Sequence, residues 1–97
     1  MTLHANVTAD VVEFHTACGL PILTAPTIPD KNRAELRKSL ITEEYNELIR
    51  AIDADDLVEI ADAIADIVYA TVGTALEYGL PFDAIWHEVQ ASKHEEG

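Results

Sequence analysis

Residues 57–76, LVEIADAIADIVYATVGTAL, form an apolar run that carries three acids and not one base. A helix drawn through it is apolar on nearly every side, and such a helix belongs inside a bundle. At 100° per residue, Glu59, Asp62 and Asp66 fall within a stripe of about 60°. Each acid at mid-bilayer would cost about 2.5–3.5 kcal/mol, which argues against a transmembrane span. A solvated helix face mixes lysine with glutamate, and this stripe has neither lysine nor arginine. The fold therefore has to supply a partner for acids that ride on an otherwise buried helix.

Proline and glycine divide the remainder. Thr8 or Asp10 can cap a first helix running to about Cys18, which Gly19 and Pro21 end. Residues 20–29, LPILTAPTIP, hold three prolines and form an extended connector. Asp30 can cap a second helix, 31 to about 53, in which Leu36, Leu40, Leu48 and Ile52 recur at helical spacing. Asp55 or Asp56 caps the third helix, about 57 to 78, which Gly79 and Pro81 stop. Pro81 and Asp83 open a short fourth helix carrying Ile85, Trp86 and Val89, with a frayed tail over 93–97. No segment alternates like a strand. The expected fold is all-α and four-helix bundle-like, in a single domain over 1–97, with two longer antiparallel helices and two shorter ones.

The second helix repeats the pattern of the third. Glu43, Glu44 and Glu47 fall at about 0°, 100° and 40°, and Leu36 and Leu40 at about 20° and 60°. The glutamates continue the line of an apolar face. Two such helices joined by a short turn pack antiparallel with their acidic stripes facing. Gathered carboxylates either protonate or take a cation. Mg²⁺, or alternatively Mn²⁺, suits an all-oxygen site of this kind. A bundle whose acids face outward would instead be an interaction module or a DNA mimic.

Charge and composition exclude other classes. Eighteen acids against six bases give a net charge of −12, which lacks the basic footprint of nucleic-acid or anionic-membrane binding. Cys18, the single cysteine, rules out an internal disulfide framework and a cysteine zinc cluster. With no visible signal peptide, a cytoplasmic setting is expected. His87 has no Glu-x-x-His partner, which disfavours a di-iron bundle. His4 and His94 are expected on the surface. His15 either lines the groove or is a structural histidine, and Tyr69 packs in the core or meets a base or sugar. Five of the six bases, Lys31, Arg33, Arg37, Lys38 and Arg50, lie on the second helix. Arg37 and Lys38 are candidates to hold phosphates beyond a metal.

Glu43-Glu44-Tyr45-Asn46-Glu47-Leu48 followed by Asp62-Ala63-Ile64-Ala65-Asp66-Ile67-Val68-Tyr69 resembles the all-α nucleoside triphosphate pyrophosphohydrolases. That superfamily includes MazG, the dimeric dUTPases and phosphoribosyl-ATP pyrophosphohydrolase. Its signature is Glu-x-x-Glu on one helix and Glu-x-x-Asp on the next. Glu13-Phe14-His15, Tyr69 to Gly73, Tyr78-Gly79-Leu80 and Glu88-Val89 through Ser92 extend the resemblance over nearly the whole chain. Two positions depart from it. With Asp66 as the motif aspartate, the motif glutamate position is Ala63, and Asp62 replaces it; alternatively Glu59-Ile60-Ala61-Asp62 is the motif shifted by one turn. Lys93 stands where relatives often carry asparagine.

The resemblance implies hydrolysis of a (deoxy)nucleoside triphosphate to the monophosphate and pyrophosphate, as nucleotide-pool housekeeping. The metal ligands would come from Glu43, Glu44, Glu47, Glu59, Asp62 and Asp66, with Glu43 or Glu47 orienting or deprotonating the water. Substrate contacts would come from His15, Arg37, Lys38, Tyr69 and Lys93. A homodimer, or a tetramer built from two dimers, would bury helices that the small core leaves uncovered.

Overall fold

Asn6, Asp30 and Asp56 each open a helix in the same way. Their Oδ1 atoms accept the backbone N–H three residues on, from Ala9 at 3.0 Å, Arg33 at 2.9 Å and Glu59 at 3.1 Å. Each bond satisfies an N–H that the first helical turn would otherwise leave unpaired. The computed structural model describes residues 6–96; His4 lies outside them. Its elements are α1 (Val7–Cys18), α2 (Lys31–Asp53), α3 (Leu57–Glu77) and α4 (Phe82–Glu96), with no strand among the described residues.

Two local expectations are corrected. Asn6, not Thr8 or Asp10, caps α1, because the Thr8 hydroxyl donates to Asp83 Oδ1 at 2.6 Å and ties α1 to α4. The tail from Lys93 to Glu96 is helical; Lys93 and His94 sit in the last turn of α4, where positive charge meets the negative end of the helix dipole.

The antiparallel pair α2–α3 is the centre of the molecule. Its seam reads Arg37, Leu40, Glu44, Glu47 and Ala51 on α2, against Ala63, Asp66, Ala70, Gly73 and Glu77 on α3. Both sets step by three and four residues, as packed helices require. At one end of the seam Glu77, only 1% exposed, accepts from Arg33 Nε and Nη2 at 2.8 Å and from Arg37 Nη1 at 2.9 Å. Arg37 is itself buried and also donates to Thr74 Oγ1 at 3.1 Å and to the Ala70 carbonyl at 2.8 Å. At the other end Ala51 and Ala63 are buried, and a short turn with Asp55 at φ 54° joins the helices.

The helix α1 crosses the C-terminal half of α3, where Val11, Val72 and Leu76 form the buried core with Val12 and Phe82 at its edge. Gly73 makes this approach possible. A Cβ there would lie 2.7 Å from His15 Nε2 and 2.8 Å from Arg37 Nη2. The connector then returns along the end of α3, with Leu23 N–H on the Leu76 carbonyl and Thr27 N–H on that of Tyr78. Gly79, at φ 66°, lets the chain turn beneath it, since a side chain there would run into the Ala25 backbone. The N-terminal part of α3 is not covered in this way: Leu57 is 81% and Val58 76% exposed. Thus α3 is central without being enclosed. No helix among the described residues is long and apolar enough to cross a membrane.

Removing Glu77 strands two arginines, one of them buried. Glu77→Ala is expected to cost about 3–5 kcal/mol, the usual penalty for breaking a buried ion pair from one side. Urea denaturation followed by circular dichroism measures it; a loss below about 1 kcal/mol would mean that these bonds do not hold the seam.

Candidate active site

Midway along the α2–α3 seam, charges of one sign meet. One carboxylate oxygen from each of Glu44, Glu47 and Asp66 lies within 4.8 Å of the others. Glu44 and Glu47 are one turn apart on α2, and Asp66 comes from α3. The seam register that pairs Arg37 with Glu77 is what brings these acids together. Glu44 Oε2 is buried and meets no hydrogen-bond partner. A buried acceptor left without a donor is costly unless a proton or a cation meets it.

Both inner acids show that cost. Burial, first, and then the charges of Glu47 and Asp66 push the Glu44 carboxyl above its ordinary value; a hydrogen bond with Glu47 and the charge of Glu43 add to it. Burial also raises Asp66, followed by the charges of Asp62 and Glu47 and a hydrogen bond with Asp62. Oxygen-only donors, an orphaned buried oxygen and unrelieved negative charge together fit a hard divalent cation such as Mg²⁺ or Mn²⁺.

Two concavities flank the cluster. The first, of about 300 Å³, joins Glu44 and Asp66 to Phe14, His15, Leu40 and Tyr69. Phe14 and Tyr69 meet edge to face at 5.5 Å, and the Tyr69 hydroxyl donates to the Asp10 carbonyl at 3.3 Å. His15 is buried, its Nδ1 3.1 Å from the Pro21 carbonyl. A carbonyl only accepts, so Nδ1 carries the proton, and Nε2 faces Gly73. The second concavity, of about 410 Å³, lies toward the α2–α3 turn and holds Glu47, Arg50, Asp56, Glu59 and Asp62.

A model of the family described as phosphoribosyl-ATP pyrophosphohydrolase matches residues 11–93. The chain belongs to the phosphoribosyl-ATP pyrophosphohydrolase family. That places it in the MazG-like nucleoside triphosphate pyrophosphohydrolase superfamily. The family is typically metal-dependent, in keeping with the acid cluster. The chain is also 38% identical over 77 residues, 75% of its length, to "Uncharacterized protein L479" of Acanthamoeba polyphaga mimivirus. It spans 31% of that relative's length.

The residues singled out from the sequence are distributed unevenly around this site. Glu44, Glu47 and Asp66 converge, with Asp62 touching Asp66 from the exposed side. Glu59 lies farther along the second concavity. Glu43 turns into a separate groove with Lys38, which pairs with Glu35 at 3.1 Å. Arg37 borders the first concavity, but its guanidinium is engaged by Glu77, Thr74 and Ala70. Lys93 lies on α4, outside these concavities. The sequence reading did not single out Glu77. Its signal was an acid ending an apolar helix while Arg33 and Arg37 stood one turn apart on the preceding helix.

A carboxyl raised by folding is stabilising below its unfolded pKa, and that contribution is lost as pH rises through the folded value. At neutral pH, Glu44 therefore weakens the metal-free fold. Glu44→Gln is expected to raise the metal-free Tm by a few degrees at neutral pH, with the gain vanishing below the ordinary carboxylate value of 4.5. Thermal melts in a chelator across that range test this; equal melting at neutral pH would contradict it.

Proposed function

We propose that the protein is a Mg²⁺-dependent pyrophosphohydrolase that converts (deoxy)nucleoside triphosphates to monophosphates and pyrophosphate in the cytoplasmic nucleotide pool. The carrying observation is the convergence of Glu44, Glu47 and Asp66 around the unpartnered Glu44 Oε2. An outward-facing interaction module has no use for acids collected at that cost inside a helix seam. Mn²⁺ is the alternative ion.

On this reading each wall has a role. Glu44, Glu47 and Asp66 would hold the ion, and Asp62 would support Asp66 or join the ligand set. A bound divalent ion would clamp phosphate oxygens and lower the pKa of a bound water. Glu47 lies at the meeting of cluster and second concavity, and on this reading it would take the proton of the water that attacks the α–β anhydride. Glu43 faces the neighbouring groove and acts on Glu44 through its charge. Phe14 and Tyr69 offer aromatic surface to the nucleoside end, with His15 in the same wall. The exposed apolar face of Leu57, Val58, Ile64 and Val68 supports a homodimer, or a tetramer of two dimers.

Pyrophosphate release screened across the common NTPs, dNTPs and phosphoribosyl-ATP, with Mg²⁺ or Mn²⁺, tests the reading. Hydrolysis that stops with a chelator is expected. Glu47→Gln and Asp66→Asn should each lower turnover by at least about a hundredfold, the scale of a lost general base or metal ligand, with helical content unchanged. Full activity in either would remove the assignment. Wild-type protein should melt higher in millimolar metal; no shift and no hydrolysis would favour the interaction module.

The two registers of the third-helix motif make different demands. Asp62→Asn is expected to weaken Mn²⁺ binding, measured calorimetrically, more than Glu59→Gln does. Asp62 contacts Asp66, whereas Glu59 lies two turns from it, about 10 Å along the axis. The reverse order would establish the shifted motif.

A further inference from the structure

Arg50 stands one helical turn beyond Glu47, in the wall of the concavity that also holds Glu59 and Asp62. It is the one base in that wall among the described residues. Surrounded by acids, its guanidinium nevertheless makes no hydrogen bond or ion pair within the described residues. The neighbouring bases of α2 are committed: Arg33 and Arg37 to Glu77, and Lys38 to Glu35. A triphosphate laid across the cluster, with its nucleoside end against Phe14 and Tyr69, directs its outer phosphates into this second concavity. Of that concavity's charged lining residues, Glu47, Asp56, Glu59 and Asp62 repel them and Arg50 attracts them.

We infer that Arg50 anchors the outer phosphates of the substrate, and hence the pyrophosphate product; this assignment rests on the pyrophosphohydrolase reading above. A guanidinium offers a planar fork of N–H donors that matches two oxygens of one phosphate, which an ammonium cannot do. Its freedom from Glu47 and Asp62 matters equally. An arginine paired with either would compete with the cation for the same oxygens. Left unpaired, it adds positive charge at the far end of the phosphate chain and leaves the carboxylates to the ion. Arg50 thus divides the labour along the groove, with the acids addressing phosphate through a cation and the arginine addressing it directly.

The test uses inorganic pyrophosphate and a nucleoside monophosphate as separate probes, each titrated calorimetrically in Mg²⁺. Arg50→Ala is expected to weaken pyrophosphate binding by about tenfold or more, the scale of a lost charge-assisted hydrogen bond. Monophosphate binding should stay within about twofold, as should the Mn²⁺-induced rise in Tm. Arg50→Lys should recover part of the pyrophosphate affinity. Lys31→Ala removes the same charge about 28 Å away along α2 and should change neither probe. Unchanged pyrophosphate affinity in Arg50→Ala, or equal loss of both probes, overturns the assignment, as does an equal loss in Lys31→Ala. A wild-type protein that neither binds pyrophosphate with metal nor hydrolyses any nucleotide instead overturns the parent reading, and Arg50's role falls with it.

Discussion

The bonds from Arg33 and Arg37 to Glu77 hold together two helices that repel each other a few turns away. Along one seam the charges are of opposite sign at the chain-end side, alike in the middle, and replaced by alanine next to the turn. The register is set at the two ends. Arg33 and Arg37 converge on one carboxylate that is almost wholly buried, and Ala51 and Ala63 allow close approach beside the turn. Glu44, Glu47 and Asp66 are then placed by their neighbours and not by their own preferences. A sliding of either helix would separate them, and with them the one geometry that suits a cation.

This division accounts for the two kinds of arginine on α2. Arg37 borders the first concavity but is engaged by three groups of α3, so it positions without being available. Arg50 borders the opposite concavity, and its guanidinium is engaged by none of the described residues. Side chains of the same chemistry are structural at one end of the groove and accessible at the other. Burial and hydrogen bonding separate them; residue type does not.

Much of this was legible in the sequence, for physical reasons. The four helices follow from proline, glycine and aspartate punctuation, which acts locally; the cap at Asn6 was missed because Thr8 is drawn away by Asp83 on a helix far along the chain. That the glutamates of α2 face the acids of α3 followed from angular position, although by angle Glu43 lies nearer the apolar line than Glu44 does. Angle did not tell Glu43 from its neighbours, because a helical wheel has no information about which side another helix occupies. The Glu77 pairs depend on residues 40 and 44 positions apart, and no single-helix pattern reveals them. The incomplete cover of α3 was likewise invisible: a run apolar on all sides signals burial, yet α1 and α4 cover only its C-terminal half here.

The three converging acids lie within 23 residues on one αα-hairpin, whereas the aromatic wall beside them is completed by α1. The part of the molecule that would handle phosphate chemistry is thus sequence-local and self-contained, and the part that would distinguish one organic group from another is contributed from elsewhere in the chain. Substitutions at Phe14 or in the connector that carries Leu20 can reshape the pocket without shifting a carboxylate. Changes in α1 therefore act on the organic wall of the pocket, and changes in the hairpin act on its acids.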